Sequence, residues 1–337
     1  GDYVSSLGEA LAGHATVSMW IPDRPELSVE QETHVIEKAP SRVGVARDES
    51  VAWLRRSALA DGVAAWGADV VHISFGEGYP TAARLAADLE ARVPVVATWH
   101  DPVPHGQILD RVQHAIAVRT MTSAAGVHVH CEALVPERFR SKVKVLELPA
   151  FPCPRCLEVT DTQLLRSEGP VVAIGRFAPY KGTEQLCAAL SDYWRHGGER
   201  SLVVVGQGRV PASLRDLESR WRSLVTVVNE YVPATRLHEV LSDAAVCVMP
   251  YIRGTQSALP WLARAHGAHL IASDVGCIGE VTRRIGGRVV RPGSVADLVD
   301  ALLEPPSRWR DIEGLPMPTF GDLADGLLDW YPRLSAA

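Results

Sequence analysis

Short apolar runs alternate with longer stretches whose apolar positions recur at helical spacing, and the alternation persists along nearly the whole chain. The runs at 171–174, 202–205, 225–228 and 246–249 hold almost no polar residue. Strands of that kind are covered on both faces, as in a parallel sheet flanked by helices. The stretches between them, 184–195, 213–221 and 234–241, have helical periodicity. Further on, the pattern predicts a helix over 258–266 stopped by Gly267, strands at 270–272 and 288–290, and a helix over 294–303.

The first half reads alike. Strands at 69–75, 94–99, 126–131 and 143–148 are separated by helices over 51–65, 82–91 and 109–124. Ahead of them, Val4, Leu7 and Leu11 share one helical face, residues 14–20 form a strand, and 23–50 is polar and irregular. Such alternation predicts an α/β protein with helices on both faces of parallel sheets. Residues 149–167, with three prolines among mixed polar residues, read as an interdomain connection. It separates a domain of 1–150 from one of 168–318, and a last helix follows over 320–334.

Two stretches carry candidate chemistry. In the first, Gly175 ends the strand at 171–174, and Arg176 and Lys181 lie on the loop that Pro179 stiffens, with Thr183 placed to cap the next helix. Cations beyond the carboxyl end of a strand sit where open α/β sheets bind ligands, and phosphate is the anion that suits them. The plain alternative is a solvated loop with two unrelated charges. In the second stretch, 246–280, the small polar turn Gly254-Thr255-Gln256-Ser257 feeds a helix. A turn of that kind leaves backbone N–H groups free for an anion, and Ser257 can cap the helix at the same time.

Arg176-x4-Lys181 together with the Thr-Gln-Ser turn resembles the donor-site signature of retaining glycosyltransferases of family 4. The resemblance covers most of the chain, best over 94–105 and 170–292. It implies the GT-B fold, an α/β architecture of two Rossmann-like domains with a cleft between them. It also implies transfer of a sugar from a UDP- or GDP-linked nucleotide sugar to an acceptor hydroxyl, with the anomeric configuration kept. In the family the departing phosphate oxygen takes the acceptor proton, so no protein nucleophile is needed. The acceptor is a glycan, a lipid-linked compound or a small molecule, and peripheral membrane contact is compatible with the second of these. No cofactor beyond the nucleotide-sugar co-substrate is implied.

Residue by residue, the resemblance places Arg176 and Lys181 on the donor diphosphate, where negative charge grows as the glycosidic bond breaks. Thr255, Gln256, Ser257, Ala258 and Leu259 present N–H groups to the phosphates. His100, followed by Asp101, hydrogen-bonds the donor sugar, and His105 is a weaker, acceptor-facing candidate. Asn229, Glu230 and Tyr231 form the turn beneath the nucleobase, with Tyr231 packing on it. Glu280 matches a glutamate near the donor site, either offsetting Arg176 or holding the loop. Gly76, Glu77 and Gly78 face the acceptor or form a plain turn. Gly1 stands as the remnant of a glycine-rich turn, since the family has a strand and such a turn before its first helix. One departure matters: the paired glutamates that many members carry fall at Gly254 and Leu262, neither of which offers a side-chain acceptor. The second of that pair normally holds the nucleotide ribose.

Composition fits this reading. A chain of 337 residues, 47% hydrophobic, suffices for two ordinary cores. Its net charge of −6 and the lack of a basic tract speak against a nucleic-acid partner. No Asp-x-Asp pair occurs, so the two cations take the place of a metal on the diphosphate. The six cysteines mostly fall in apolar strands or helices and read as buried free thiols of a reducing cytoplasm. Cys153-Pro-Arg-Cys156 has no second pair to complete a zinc site. No apolar run reaches the length of a transmembrane helix and no signal peptide is visible. His72, inside a strand, reads as core. The same fold also carries epimerases and phosphorylases, and the glycine and leucine at 254 and 262 suit a nucleotide-sugar-binding protein without turnover.

Overall fold

The computed structural model describes residues 2–21, 32–35, 56–74, 78–103, 108–150, 168–304 and 316–334. They form two compact units, one of Gly1–Pro149 with Pro318–Ala337, the other of Ala150–Met317.

In the first unit β1 (Ser18–Ile21) and β2 (Glu32–Val35) pair in parallel. β2 corrects the irregular reading of 23–50: it is too short and polar to announce itself, and it exists by pairing with β1. A four-stranded parallel sheet follows, with β3 (Val71–Ile73), β4 (Val95–Thr98), β5 (Gly126–Val129) and β6 (Val143–Val145) in that spatial order. The two central strands are buried at every residue. Helices Arg56–Trp66, Pro80–Leu89 and Ile108–Ser123 connect the strands. Helix Phe320–Leu328, opened by a capping box between Thr319 and Asp322, packs on helix Asp2–Ala12. The single helix expected over 320–334 breaks after Leu328 and resumes as Tyr331–Leu334. Pro332 accounts for the break, because it has no N–H to give the Leu328 carbonyl and its ring crowds that oxygen.

The second unit holds β7 (Val171–Ile174), β8 (Leu202–Val205), β9 (Val225–Val228), β10 (Val246–Met249), β11 (His269–Ser273) and β12 (Arg288–Val290). All are parallel, in the order β12-β11-β10-β7-β8-β9. Successive side chains of a strand point to opposite faces. Val171, Val204, Val246, Val248 and Ile271 therefore join a core with helices Thr183–Arg195, Ala212–Arg220 and Val295–Leu303. Val172, Cys247, Met249, Leu270 and Ala272 join a second with Leu241, Trp261 and Leu262. Covering both faces is what made these strands read as uninterrupted apolar runs. The chain moves outward from β7 to β9, then returns to the other side of β7 with β10. The loops leaving β7 and β10 thus part at the carboxyl edge, the crevice where sheets of this topology bind ligands.

Two local expectations change, those for Thr183 and for the cysteines. Thr183 does not cap its helix: Gly182 holds the cap position in the left-handed region, and Thr183 is the first helical residue. Glu280, the candidate to offset Arg176 or hold the loop, lies within helix Gly276–Arg284. Cys187 and Cys247 are buried free thiols, but Cys131 and Cys277 are each disulfide-bonded, against the free-thiol reading. Cys153 and Cys156 lie outside the described residues.

Candidate functional site

The loops at the carboxyl edge of the second sheet are stitched together by backbone contacts that need glycine. Gly175 has φ +133, and a Cβ on Gly206 would lie 2.0 Å from the Gly175 carbonyl oxygen. Phe177 N–H donates to Gln207 O at 3.1 Å, joining the β7 and β8 loops. Gly182, at φ +70, brings the turn Pro179–Lys181 onto the end of β10; a Cβ there would fall 1.8 Å from Pro250 O. Ile252 N–H then donates to Tyr180 O at 2.8 Å.

This close approach sets Lys181 beside Tyr251. The Lys181 ammonium donates to the Tyr251 phenol oxygen at 2.7 Å and lies 3.9 Å from the centroid of the same ring. Tyr251 is only 5% exposed, and burial pushes its phenol pKa far up, so the hydroxyl stays protonated. Arg176 is exposed and makes no hydrogen bond or ion pair among the described residues. Thr255 is buried, and its carbonyl accepts from Cys277 N–H at 2.8 Å. Ser257 Oγ accepts from Leu259 N–H at 3.2 Å, which uses one of the N–H groups the sequence reading offered to a phosphate. Gln256 Oε1 is buried with no hydrogen-bond partner among the described residues. Ala258 is buried just before the helix Leu259–Ala265.

Asn229 uses its side-chain oxygen to accept from Gly208 N–H at 3.1 Å, so it pins the β8 loop. Glu230 is exposed and Tyr231 is 60% exposed beside it. Glu280 is exposed and makes no ion pair with Arg176. Leu262, at one of the two positions where the family resemblance has a glutamate, is 2% exposed and belongs to the core. At the other, a Cβ on Gly254 would meet Ile278 Cδ1 and Tyr251 Cδ2, each at 3.3 Å.

In the first unit His100 sits at the end of a chain of imidazoles. Its Nε2–H donates to Ser74 O at 2.9 Å, and its Nδ1 lies 3.1 Å from His130 Nε2. His130 Nδ1 and His128 Nε2 both face Leu146 O, at 3.3 and 3.0 Å. A carbonyl only accepts, so His128 carries its proton on Nε2, and its Nδ1 accepts from Thr98 Oγ1 at 2.9 Å. Thr98 has no second proton, so His72 Nε2–H donates to it at 2.8 Å, and the Tyr331 hydroxyl donates to His72 Nδ1 at 2.6 Å. Thr98 and His128 are fully buried and His130 nearly so. Burial pushes the His72 pKa down to about 3 and that of His128 to about 4, and holds His130 well below the usual imidazole range. His72, read from its strand position as core, is half-buried and held in a polar chain between Tyr331 and Thr98. Gly1, Gly76, Glu77 and His105 lie outside the described residues. Among the described residues no three His, Cys, Asp or Glu side chains are placed to hold a metal ion, and no helix is long and apolar enough to cross a membrane.

Residues 1–144 match the family described as glycosyl transferase 4-like domain, and residues 169–305 match glycosyl transferases group 1. The two matches fall one on each unit and in the order of that fold. The chain belongs to the GT-B glycosyltransferases. No curated protein sequence matches it. In fold, this glycosyltransferase is similar to the catalytic domain of starch synthase IV from Arabidopsis thaliana, bound to ADP and acarbose. The TM-score is 0.71 at 14% identity over 100% of this chain and 96% of that one. It is also similar to sucrose-phosphate synthase from Thermosynechococcus elongatus, with TM-score 0.66 and 19% identity over 99% and 90% of the two chains. A UDP-forming trehalose-phosphate synthase from Burkholderia vietnamiensis gives 0.57 and 13% over 86% and 74%.

Sequence reasoning about this glycosyltransferase missed Tyr251 and the partners of His100. The signals were there in part. Tyr251 stands two residues past a strand end, and His128 and His130 stand two apart at the end of an expected strand over 126–131, hence on one face. What joins them to Lys181 and to His100 is tertiary.

Proposed function

We propose that this glycosyltransferase moves a sugar from a nucleoside-diphosphate sugar to an acceptor hydroxyl with retention of configuration and without a metal. The observation that carries the reading is the position of Arg176 and Lys181, two cations at the carboxyl edge of β7 where the strand order reverses. The second unit takes the donor. Arg176 and Lys181 stabilise the charge that develops on the leaving diphosphate, and the turn Thr255-Gln256-Ser257 with Ala258 and Leu259 lines the same group. The turn Asn229-Glu230-Tyr231 takes the base, UDP or GDP being the candidate carriers, and Glu280 borders the site. In the first unit His100 serves the sugar. The departing phosphate oxygen takes the acceptor proton, consistent with a site built from cations rather than from paired carboxylates.

A second reading is favoured by Leu262: with a core residue where the ribose-holding glutamate would stand, the protein binds nucleotide sugar without turning it over. Transfer assays on a donor panel decide between the two. Turnover that survives EDTA and vanishes in Arg176→Ala with Lys181→Ala supports transfer; each cation contributes on the order of a few kcal/mol to the transition state. Normal turnover by the folded double variant would sink the assignment, and activity that EDTA removes and magnesium or manganese restores would show a metal-assisted site instead. Nucleotide binding with no turnover on any donor would favour the silent binder.

A further inference from the structure

We propose that Tyr251 is part of the donor-phosphate subsite, its phenol accepting a hydrogen bond from Lys181 and giving its own O–H to the phosphate that Lys181 binds. This deepens the proposed function and rests on it. The argument begins with hydrogen counting. An ammonium only donates, so at 2.7 Å the phenol oxygen is the acceptor in the Lys181 pair. The phenol hydrogen must then point elsewhere, and the described residues supply no acceptor for it. Burial keeps that hydrogen on the oxygen at neutral pH. A buried hydroxyl donor without an acceptor, locked to a cation, is arranged for an anion.

The surroundings point the same way. Lys181 folds back over Gly175, where a Cβ would lie 3.6 Å from its Nζ, so the ammonium is held at the end of β7 instead of ranging through solvent. The contact orders the lysine chain before a ligand arrives, which lowers the entropy lost on binding. The other edge of the Tyr251 ring lies under the turn: Tyr251 Cδ2 is 3.3 Å from where a Gly254 Cβ would be. One aromatic ring thus lies between the lysine and Gly254, the residue that leads into the Thr255-Gln256-Ser257 turn. It also accounts for glycine at 254, since a longer side chain there would push on Tyr251 and Ile278.

Tyr251→Phe removes the oxygen and leaves the ring. Titration of the parent and the variant with UDP, GDP and ADP, and with the matching nucleosides, measures the effect. For the nucleoside diphosphate that the parent binds, the variant should bind about tenfold or more weakly, with nucleoside binding unchanged. In a Lys181→Ala background the same substitution should change affinity much less. Equal diphosphate affinity of parent and Phe variant, or equal loss for nucleoside and diphosphate, would overturn the role of Tyr251 while leaving the function standing. If the parent binds none of the three diphosphates, both the function and the subsite fall.

Discussion

Acid should loosen the first unit through the imidazole chain at its core. His72 and His128 are held neutral, with pKa values pushed down to about 3 and 4 by burial, and His130 shifts in the same direction. In the unfolded chain each titrates near 6.5. A histidine whose folded pKa lies below its unfolded value contributes stability above the unfolded pKa, and loses it as pH falls toward the folded one. The window therefore runs from about pH 6.5 down to about pH 4, and the unfolded state binds more protons throughout it. Between about pH 7 and pH 5.5, each such ring costs about 1.2 kcal/mol, so His72 and His128 together remove about 2.5 kcal/mol, with His130 adding to the loss. Against a domain stability of roughly 5–15 kcal/mol this is a large share. Among the described residues His100, Tyr3 and Tyr331 border the chain, and no carboxylate acts on His72, His128 or His130 to hold a protonated ring in place. Long-range nitrogen NMR of the histidine rings reports both tautomer and titration. His72 and His128 should show protons on Nε2 and no titration down to about pH 5. Rings that titrate near 6.5, or protons on Nδ1, would refute the reasoning whatever the stability does.

Thr98→Val keeps the shape but removes the hydroxyl that joins His72 to His128. It should cost about 1–3 kcal/mol for each imidazole nitrogen left unpaired, seen as a lower denaturant midpoint, while Thr98→Ser should cost much less. A Val variant as stable as the parent would mean that the chain of bonds is not needed. Gly182→Ala forces a Cβ against Pro250 O at a left-handed backbone position. A loss of about 1–3 kcal/mol is expected, together with weaker diphosphate binding as Lys181 is displaced from Tyr251. An alanine variant with unchanged melting and affinity would contradict the close approach.

The sequence by itself determined the layered α/β architecture and most strands of the second unit. β7, β8, β9 and β10 occupy the residues their apolar runs marked, since strands covered by helices leave few polar interruptions to confuse the reading. Arg176 and Lys181 were legible as a pair because they follow a strand end in a loop too short to hide them. Local signals failed where the outcome depends on a distant partner. β2 exists only against β1; the division of the last helix at Pro332 was by contrast a local signal. Thr183 lost its capping role because Gly182 must lie against Pro250, a residue distant in sequence. Tertiary structure alone also decided what each polar group is bonded to. Asn229 was legible as a turn residue but not as the clamp on Gly208, and His100 as a strand-end histidine but not as one ring of a chain through Thr98 to Tyr331. Periodicity reports which face of an element is buried; hydrogen-bond partners come from whichever elements the sheet order brings alongside, and sheet order is a property of the whole chain.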